Sequence, residues 1–344
     1  MTSLDGPYHR LRVAEVIEET DDAKSIVFEI PDALCDRFVY RAGQFLTLRV
    51  EVDGHRIVRC YSLASAPEAD PRETQHKVTV KRVVDGRASN WINDHVRPGD
   101  EVEVMPPTGL FCLRERETPI VLFGGGSGIT PIISILKTAL RTTSRLIKLV
   151  YANRNDRSII FKDELAALLS ANPERIEIVH RLDDVHGFVD AAVVVQEVGV
   201  KADADFYICG PGPFMDVVEQ GLGDLGIETD RIFIERFETP DTPIETTPVD
   251  TSQGRVVMIK LDGKESEVPV GEGETILAAA RRAGLEPPFA CEEAYCGCCM
   301  AKVVEGDVEM LENDGGIDQR QIDDGWILTC QGIVKDRARV EYPD

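Results

Sequence analysis

The chain has 344 residues, 43% of them hydrophobic, which is enough for two or three domains with buried cores. Its 61 acidic and 38 basic side chains give a formal net charge of −23, a field that repels a nucleic-acid backbone, so we expect no nucleic-acid partner. No apolar run approaches the roughly 18 residues of a membrane span, and the first ten residues lack the pattern of a secretion signal. We therefore expect a cytoplasmic protein without a membrane span.

Residues 8–115 form the first predicted domain. Short alternating apolar stretches, such as those at 25–30, 45–50, 78–83 and 101–105, are separated there by turn residues. This pattern is typical of an antiparallel sheet or barrel.

Residues 116–237 form the second predicted domain, because strands and helices alternate there as in a parallel sheet. An apolar strand at 120–123 leads into a glycine-rich turn at 124–130 and a helix at about 131–141. Such a turn presents N–H groups that favour a phosphate, although glycine turns also serve packing alone. A second glycine loop at 209–215 follows another apolar strand, so the two loops should face one crevice.

Residues 238–254 are predicted to be an extended linker, since they contain three prolines, several acids and no basic residue. The third predicted domain covers residues 255–344 and carries 19 acids and ten bases, a net charge of −9. Its pattern predicts strands at 256–261 and 267–269 and a helix at 274–283, followed by a loop rich in cysteine.

Four cysteines of the third domain have the spacing of a cluster site. Cys291, Cys296 and Cys299 follow the pattern C-x4-C-x2-C, and Cys330 comes after thirty further residues. Four thiolates at this plant-type spacing indicate a [2Fe-2S] cluster. The alternative is a structural zinc ion, which also takes four cysteines but more often from two C-x2-C pairs. Cys298 is a neighbouring thiol, and the spacing favours Cys299 over it as the ligand.

Two short motifs in the first domain combine groups that bind phosphates and ring systems. Arg59, Tyr61 and Ser62 supply a guanidinium, an aromatic face and a hydroxyl within four residues. Ser89 lies near the start of a predicted helix, where an anion is favoured. Each has a simpler explanation, because such an arginine is usually solvated, such a tyrosine is usually half-buried, and the serine can merely cap the helix.

Taken in order, four motifs resemble those of the ferredoxin-reductase-like flavoprotein family: R-x-Y-S, G-x-x-S, GGGSGITP and CGPGPFM. The resemblance covers residues 8–237 and implies an antiparallel β-barrel that binds flavin, followed by an α/β parallel-sheet domain that binds a nicotinamide nucleotide. The cysteine-rich domain resembles plant-type ferredoxin, a β-grasp fold. Its loop differs in having Glu292, Ala294 and Tyr295 where a basic residue, a glycine and a small residue are commoner.

The resemblance also implies roles for individual residues. Ser62, which would hydrogen-bond near flavin N5, and Cys209, beside the nicotinamide, are the implied catalytic residues. Arg59 would hold the flavin pyrophosphate, and Tyr61 would pack on the flavin ring. The other implied cofactor-binding residues are Val80, Lys81 and Arg82 at the pyrimidine, Ser89 at a phosphate, Gly126 and Thr130 at the nicotinamide nucleotide, and Phe237 over the flavin, where a core position is the alternative.

The domain order resembles that of the reductase components of two-component oxygenases. A nicotinamide gives up two electrons together and an iron–sulfur cluster takes one, so a flavin must stand between them. The implied activity is electron transfer from NADH through FAD and a [2Fe-2S] cluster to a Rieske-type terminal oxygenase. Three runs, YANRNDRSIIF, ICGPGPFM and DDGWILTCQ, most resemble the reductases of 3-ketosteroid 9α-hydroxylases.

Two alternatives stay open: a reductase of another aromatic or phenylacetyl-CoA oxygenase, and a non-catalytic redox-sensing module. The run Ala-Ser-Ala-Pro at 64–67 resembles members that bind FAD rather than FMN. Asp156 suits the ribose hydroxyl of NADH, whereas Arg154 and Arg157 suit the 2′-phosphate of NADPH, and the resemblance favours NADH. The acidic third domain predicts a basic docking face on the oxygenase and an affinity that falls with salt.

Overall fold

The computed structural model describes residues 8–199, 203–236, 254–289, 291–292, 294–313 and 316–343. Three β-sheets follow one another along these residues, each with its own helices. The predicted fold class, an antiparallel barrel followed by a parallel α/β sheet and a β-grasp sheet, is confirmed. In the ranges just given, no helix combines the length and apolarity needed to cross a bilayer. The predicted linker lies outside these ranges except for Gly254.

The first unit contains six strands and a helix: β1 (His9–Thr20), β2 (Ala23–Glu29), β3 (Phe45–Val52), β4 (His55–Ser62), β5 (His76–Lys81), α1 (Arg87–His95) and β6 (Glu101–Val104). The strands form a sheet in the order β4-β3-β6-β1-β2-β5, with antiparallel neighbours. An antiparallel bridge between Leu63 and Val78 joins its two edges, so the sheet closes into a barrel. Apolar side chains such as Leu11 and Val104 fill the interior.

The second unit contains five strands and five helices: β7 (Ile120–Gly125), α2 (Ile129–Thr142), β8 (Ile147–Asn153), α3 (Lys162–Ala171), β9 (Ile176–Leu182), α4 (Asp183–His186), α5 (Ala191–Val198), β10 (Asp205–Cys209), α6 (Gly212–Asp224) and β11 (Ile232–Glu235). The strands are parallel, in the order β11-β10-β7-β8-β9. Because β7 and β10 are neighbours, the glycine loops that follow them meet at one edge of the sheet. This arrangement is the crevice that the sequence predicts.

The third unit contains five strands and two helices: β12 (Val256–Leu261), β13 (Lys264–Pro269), α7 (Ile276–Arg282), β14 (Met300–Met310), α8 (Gln319–Asp323), β15 (Trp326–Leu328) and β16 (Gly332–Glu341). The sheet order is β13-β12-β16-β14-β15, with β12 and β16 parallel. The Thr275 side chain caps α7 by accepting a hydrogen bond from the Ala278 N–H, and the apolar face of the helix covers the sheet. The cysteine loop leads directly into β14.

The barrel uses the two faces of its β3–β4 pair for different purposes. Leu46, Leu48 and Ile57 point into the barrel core. The alternate residues Phe45 and Val58 belong instead to an apolar cluster shared with the cysteine loop of the third unit. Since side chains alternate along a strand, this one strand pair both completes the barrel and supports the third sheet.

A buried ion pair ties the parallel sheet together at its edge. Asp205 opens β10 with a fully buried carboxylate, which accepts a hydrogen bond at 2.6 Å from the equally buried Arg145. Arg116 and Arg231 lie at 3.1 and 3.3 Å from the same carboxylate. Arg116 and Arg231 also reach the exposed carboxylates of Asp230 and Asp203, whereas Arg145 has Asp205 as its only ion-pair partner among the described residues.

Replacing Asp205→Ala should lower the free energy of unfolding by about 3–5 kcal/mol, because it leaves the buried Arg145 charge without its counter-ion. Urea unfolding followed by circular dichroism measures the change. Asp203→Ala is the matched control, since the Asp203 side chain is 83% exposed and pairs only with Arg231 among the described residues. Its expected effect is below about 1 kcal/mol. Equal losses in the two variants would contradict this account of the pair.

Candidate functional site

One cavity of about 440 Å³ lies where loops of all three sheets meet. The barrel contributes its β4 end, its β5 end and the loop into α1, while the parallel sheet contributes the loops after β7 and β10. The lining residues are Phe45, Arg59, Cys60, Tyr61, Ser62, Thr79, Lys81, Val83, Gly86, Arg87, Ala88 and Ser89 from the barrel, Ser127, Gly128, Thr130, Cys209, Gly210, Pro211 and Arg236 from the second unit, and Cys291, Tyr295 and Cys296 from the cysteine loop.

The β4 side of the cavity contains the R-x-Y-S motif. Arg59 donates a hydrogen bond to the Val58 carbonyl at 2.8 Å, which holds its guanidinium along the strand. The hydroxyl of Ser62 is buried and has no hydrogen-bond partner among the described residues. Burial raises the pKa of the Tyr61 phenol above its usual value, so this ring is a neutral wall. A buried hydroxyl without a hydrogen-bond partner can be satisfied by a bound molecule that offers a donor or an acceptor. The Ser62 hydroxyl and the Tyr61 ring together therefore fit a flavin.

Lys81, at the end of β5, links the cavity to the nucleotide unit through a carboxylate. Its amine lies 3.9 Å from Asp22, which also accepts a hydrogen bond from Arg154 of the second unit. Burial lowers the pKa of Lys81, and the Asp22 charge opposes that shift. Burial alone would raise the pKa of the Asp22 carboxyl. The hydrogen bond from Thr20 and the charge of Lys81 outweigh burial, so the pKa is lowered. The result is a cation held at the cavity edge.

Three predicted binding residues that the structure describes, Val80, Arg82 and Gly126, are not among those that line the cavity. The Val80 side chain is fully buried in the barrel core, so any contact with a cofactor there would have to come from its backbone. Gly126 lies in the left-handed region with φ +51°, and its carbonyl accepts a hydrogen bond from the Tyr151 hydroxyl at 3.0 Å. Phe237 lies outside the described residues. Arg82, which the resemblance places beside Val80, instead donates to the Asp94 carboxylate at 2.5 Å.

Ser89 and Thr130 reach the cavity from the starts of two helices. Ser89 is in the first turn of α1, where its hydroxyl accepts a hydrogen bond from the Val83 N–H at 3.2 Å. Gly86, rather than Ser89, occupies the N-cap of that helix. The Thr130 hydroxyl donates to the Ser127 carbonyl at 3.0 Å. Both side chains thus shape a turn whose N–H groups border the cavity, as a phosphate site requires.

The two glycine loops of the nucleotide unit are in direct contact through their backbone atoms. A Cβ atom on Gly128 would lie 2.1 Å from the carbonyl oxygen of Cys209, so no larger residue fits there. Cys209 is fully buried within the protein, and burial, assisted by the nearby Glu235 charge, raises the pKa of its thiol well above the ordinary value. Cys209 therefore faces the cavity as a neutral thiol, which would not repel an incoming dinucleotide.

The four predicted ligand cysteines lie in two contacting pairs. The thiol of Cys291 contacts that of Cys296, which also contacts the thiols of Cys298 and Cys60, and the thiol of Cys299 contacts that of Cys330. Among the described residues, no three histidine, cysteine, aspartate or glutamate side chains converge as a single metal ion requires. Two pairs match a binuclear cluster, which takes two of its four thiolates at each iron, better than they match one tetrahedral zinc.

The fifth cysteine of the loop, Cys298, contacts both the barrel and the first pair. Its sulfur lies 3.3 Å from the Thr47 hydroxyl and 3.4 Å from the sulfur of Cys60, both on the barrel. Its thiol also contacts that of Cys296, and its backbone N–H donates to the sulfur of Cys296 at 3.4 Å. Cys299, which contacts Cys330, stays the predicted ligand on its spacing.

The backbone of the cysteine loop uses left-handed conformations at three positions. Glu292 and Ala294 have φ of +54° and +62°, and Gly297 has φ of +71°. Only glycine adopts this region without cost, so two of the three residues that depart from the usual family pattern, Glu292 and Ala294, are also strained. The Ala294 carbonyl is fixed by a hydrogen bond from the Gly316 N–H at 3.0 Å.

Sequence reasoning did not assign several lining residues. Arg87 lies within the G-x-x-S motif and Ser127 within the first glycine loop, so a signal for both was present. Thr79 could have been found from Lys81, because alternate residues of a strand share a face. Arg236 and Tyr295 had no comparable local signal, since the packing of one unit on another brings them to the cavity.

Three family models match the chain in the order of the three sheets. Residues 10–112 match an oxidoreductase FAD-binding domain, residues 122–220 an oxidoreductase NAD-binding domain, and residues 259–335 a 2Fe-2S iron–sulfur cluster binding domain. The ferredoxin reductase component of 3-ketosteroid-9-alpha-monooxygenase from Rhodococcus rhodochrous is 40% identical, over 99% of this chain and 100% of that protein. The chain belongs to this family of ferredoxin reductase components. It is an oxidoreductase, and the predicted cofactors FAD, NAD and a [2Fe-2S] cluster are confirmed at the level of these domains.

Two other proteins place this reductase family in a wider group. A 1,2-phenylacetyl-CoA epoxidase subunit from Escherichia coli strain K12 is 34% identical, over 95% of each chain. The solved structure of phthalate dioxygenase reductase, described as a modular structure for electron transfer from pyridine nucleotides to [2Fe-2S], is 24% identical with a TM-score of 0.59. That likeness covers 97% of this chain and 98% of the other, and it shows a shared fold.

Gly297→Ala should reduce the iron content of the purified protein severely. The added Cβ would lie 2.6 Å from the Gly316 carbonyl oxygen, in a conformation that is already unfavourable for alanine. Iron analysis and the visible spectrum measure the loss. Gly273→Ala is the control, because Gly273 has a similar φ of +69° but open space around it. This control should retain its iron and lose only about 1 kcal/mol of stability, and full iron occupancy in Gly297→Ala would contradict the steric argument.

Proposed function

We propose that this reductase passes electrons from NADH, through FAD and its [2Fe-2S] cluster, to a Rieske-type terminal oxygenase of a 3-ketosteroid 9α-hydroxylase system in the cytoplasm. The observation that carries the proposal is the cavity shared by the three units. Its wall combines the R-x-Y-S strand, both nucleotide loops and two predicted cluster ligands, Cys291 and Cys296. The nicotinamide, the flavin and the iron–sulfur cluster can therefore be held within contact distance of one another.

The residues of the chain bind and orient, and they make no covalent bond. Flavin, when bound, supplies the conversion of a two-electron donor into one-electron steps. We assign Arg59 and the N–H groups at the start of α1 to phosphate oxygens, and the Ser62 hydroxyl to a hydrogen bond at the reactive edge of the ring. Cys209, buried and neutral, would exclude water from the opposite side, where a nicotinamide would stack. Tyr295 and Cys296 border the side from which electrons would leave.

NADH is the proposed donor, and the pairing of Arg154 supports this choice. Arg154 donates to the Asp22 carboxylate on the barrel, so its guanidinium is already committed to a contact between the two units. Asp156, the predicted ribose partner, is itself paired with the Lys162 amine at 2.6 Å, so the choice of donor rests on Arg154 and not on Asp156. NADPH should therefore be the poorer donor, because the charge of Arg154 is neutralised before a 2′-phosphate arrives.

The steroid-system partner is inferred from relatives and from charge. The similar protein from Rhodococcus rhodochrous is a component of a 3-ketosteroid-9-alpha-monooxygenase. The third domain carries the net charge of −9 noted above, which would steer a basic oxygenase surface towards the cluster. The 34% identity with the 1,2-phenylacetyl-CoA epoxidase protein favours a second candidate, a reductase for an aromatic-CoA oxygenase.

Cys296→Ser should abolish NADH-dependent reduction of cytochrome c while leaving reduction of ferricyanide within about twofold of the wild-type rate, because ferricyanide takes electrons at the flavin. Steady-state assays with the two acceptors measure the difference. Cys298→Ser is the control two residues away, and it should retain both activities and the cluster spectrum. Loss of both activities in a flavin-replete Cys296→Ser protein would contradict the proposed order of cofactors.

Reconstitution tests the partner. The purified reductase is combined with a 3-ketosteroid oxygenase component or, separately, with the oxygenase component of a phenylacetyl-CoA epoxidase, and product formation from each substrate is followed. We expect turnover with the steroid oxygenase, faster with NADH than with NADPH. Its kcat/KM for the oxygenase should fall about tenfold or more as salt rises, while the ferricyanide rate should not. Turnover with the phenylacetyl-CoA system alone would select the second candidate.

A further inference from the structure

Two cysteines outside the cluster ligands face each other across the boundary between the barrel and the third unit. The sulfur of Cys60, on β4, lies 3.4 Å from the sulfur of Cys298, in the cysteine loop. Both are free thiols in this structure. They are 238 residues apart in the chain, so the fold alone brings them together.

Strand pairing fixes the barrel side of this contact. Thr47 on β3 stands directly opposite Cys60 on β4 in the register of the two strands. The Thr47 hydroxyl is 3.4 Å from the Cys60 sulfur and 3.3 Å from the Cys298 sulfur, so it bridges the two thiols. Phe45 and Val58 belong to the same apolar cluster as the two cysteines. The sheet therefore fixes the Cys60 side of the contact, and Cys298 meets it from the cysteine loop, packed in the same apolar cluster.

Cys298 is not one of the four predicted ligands, so a reaction at its sulfur would not consume one. Its sulfur contacts Thr47 and Cys60 on the barrel, and it also contacts the thiol of the predicted ligand Cys296. Cys298 itself is 2% exposed and is out of reach of solvent. Cys60 is half-buried and lines the cavity, so a small oxidant that enters the cavity meets Cys60 first.

We propose that Cys60 and Cys298 form an oxidative modification site that closes into a disulfide between the barrel and the cluster loop. The oxidant is hydrogen peroxide, which reduced flavins generate with dioxygen. The Cys60 thiol attacks the O–O bond and becomes a sulfenic acid with release of one water. The Cys298 thiol then displaces the sulfenic hydroxyl, so that an S–S bond forms, the S–H bond of Cys298 breaks and a second water leaves.

Formation of the disulfide requires only a short movement of the two sulfurs, and it would link the barrel to the cysteine loop at one point. The sulfurs need to approach from 3.4 Å to the disulfide length of about 2.05 Å. Elsewhere at this boundary the ionic contacts are exposed, such as Arg56 with Asp262 at 3.4 Å and Arg87 with Glu286 at 3.7 Å, and contacts of this kind separate readily. A disulfide would thus fix the cluster loop on the flavin wall covalently, and a small thiol would release it.

The test treats the flavin- and cluster-loaded protein with hydrogen peroxide, followed by alkylation, trypsin digestion and mass spectrometry without reductant. We expect a linked pair of peptides that carry Cys60 and Cys298, and we expect dithiothreitol to abolish it. Because the peptide with Cys298 also holds three ligand cysteines, Cys298→Ser is essential. The linked pair should disappear in that variant and in Cys60→Ser, while Cys35→Ser, a buried cysteine elsewhere in the barrel, should keep it.

Other outcomes would overturn the proposal. A linked pair that persists in Cys298→Ser would mean that Cys60 joins a cluster ligand instead. Peroxide-treated wild-type protein in which Cys60 is overoxidised or unchanged, with no linked pair, would show that the two thiols do not react together. The visible spectra of both serine variants before treatment establish that flavin and cluster are retained. The result does not depend on the identity of the oxygenase partner.

Discussion

The register of β3 against β4 is the constraint on which the other features depend. Leu46 and Ile57 fill the barrel, while Phe45 and Val58, one residue along in each strand, pack against the cysteine loop. A slip of one residue would exchange these sets and place apolar side chains on the wrong faces. The same strand ends in the R-x-Y-S motif, so the register that seats the cluster loop also positions Tyr61 at the cavity. The wall for the flavin and the support for the cluster are thus one piece of secondary structure, and the distance between them is set by a sheet rather than by a linker.

The second requirement of the structure is close contact between backbone atoms of neighbouring chain segments. Gly128 meets the Cys209 carbonyl and Gly297 meets the Gly316 carbonyl at distances that leave no room for a methyl group. In both places a backbone carbonyl occupies the space that a side chain would need, so the two chain segments can approach this closely only through glycine. The exposed ion pairs between the barrel and the third unit contribute little by comparison, because solvent and salt screen them. Packing and backbone contact therefore define the assembly, and the large negative charge acts mainly on molecules that approach from outside.

Local patterns predicted much of the fold and of the cavity wall, because alternation, glycine turns and cysteine spacing are properties of short segments. Arg59, Tyr61 and Ser62 reach the cavity for that reason. Val80 was assigned because it neighbours Lys81 in the chain. Side chains alternate along β5, however, so the Val80 side chain points into the barrel core. A role in binding would have to come from its backbone and stays a prediction. No local sequence pattern could predict the contacts between units. The meeting of Cys60 and Cys298 depends on how two separately folded sheets dock, and nothing within either segment encodes that.

The cysteine loop shows how geometry resolves what composition leaves open. Five thiols stand in or near the loop, and spacing alone cannot say how many metal ions they serve. The contacts divide four of them into Cys291 with Cys296 and Cys299 with Cys330, an arrangement suited to two irons. Cys298 and Cys299 are adjacent, yet Cys299 contacts Cys330 while the Cys298 sulfur meets Thr47 and Cys60 on the barrel. The backbone N–H of Cys298 donates to the Cys296 sulfur, and serine would keep that donor. Cys298, outside the predicted ligand set, thus contacts the neighbouring domain through its side chain and a predicted ligand through its backbone, so the two contacts can be changed separately.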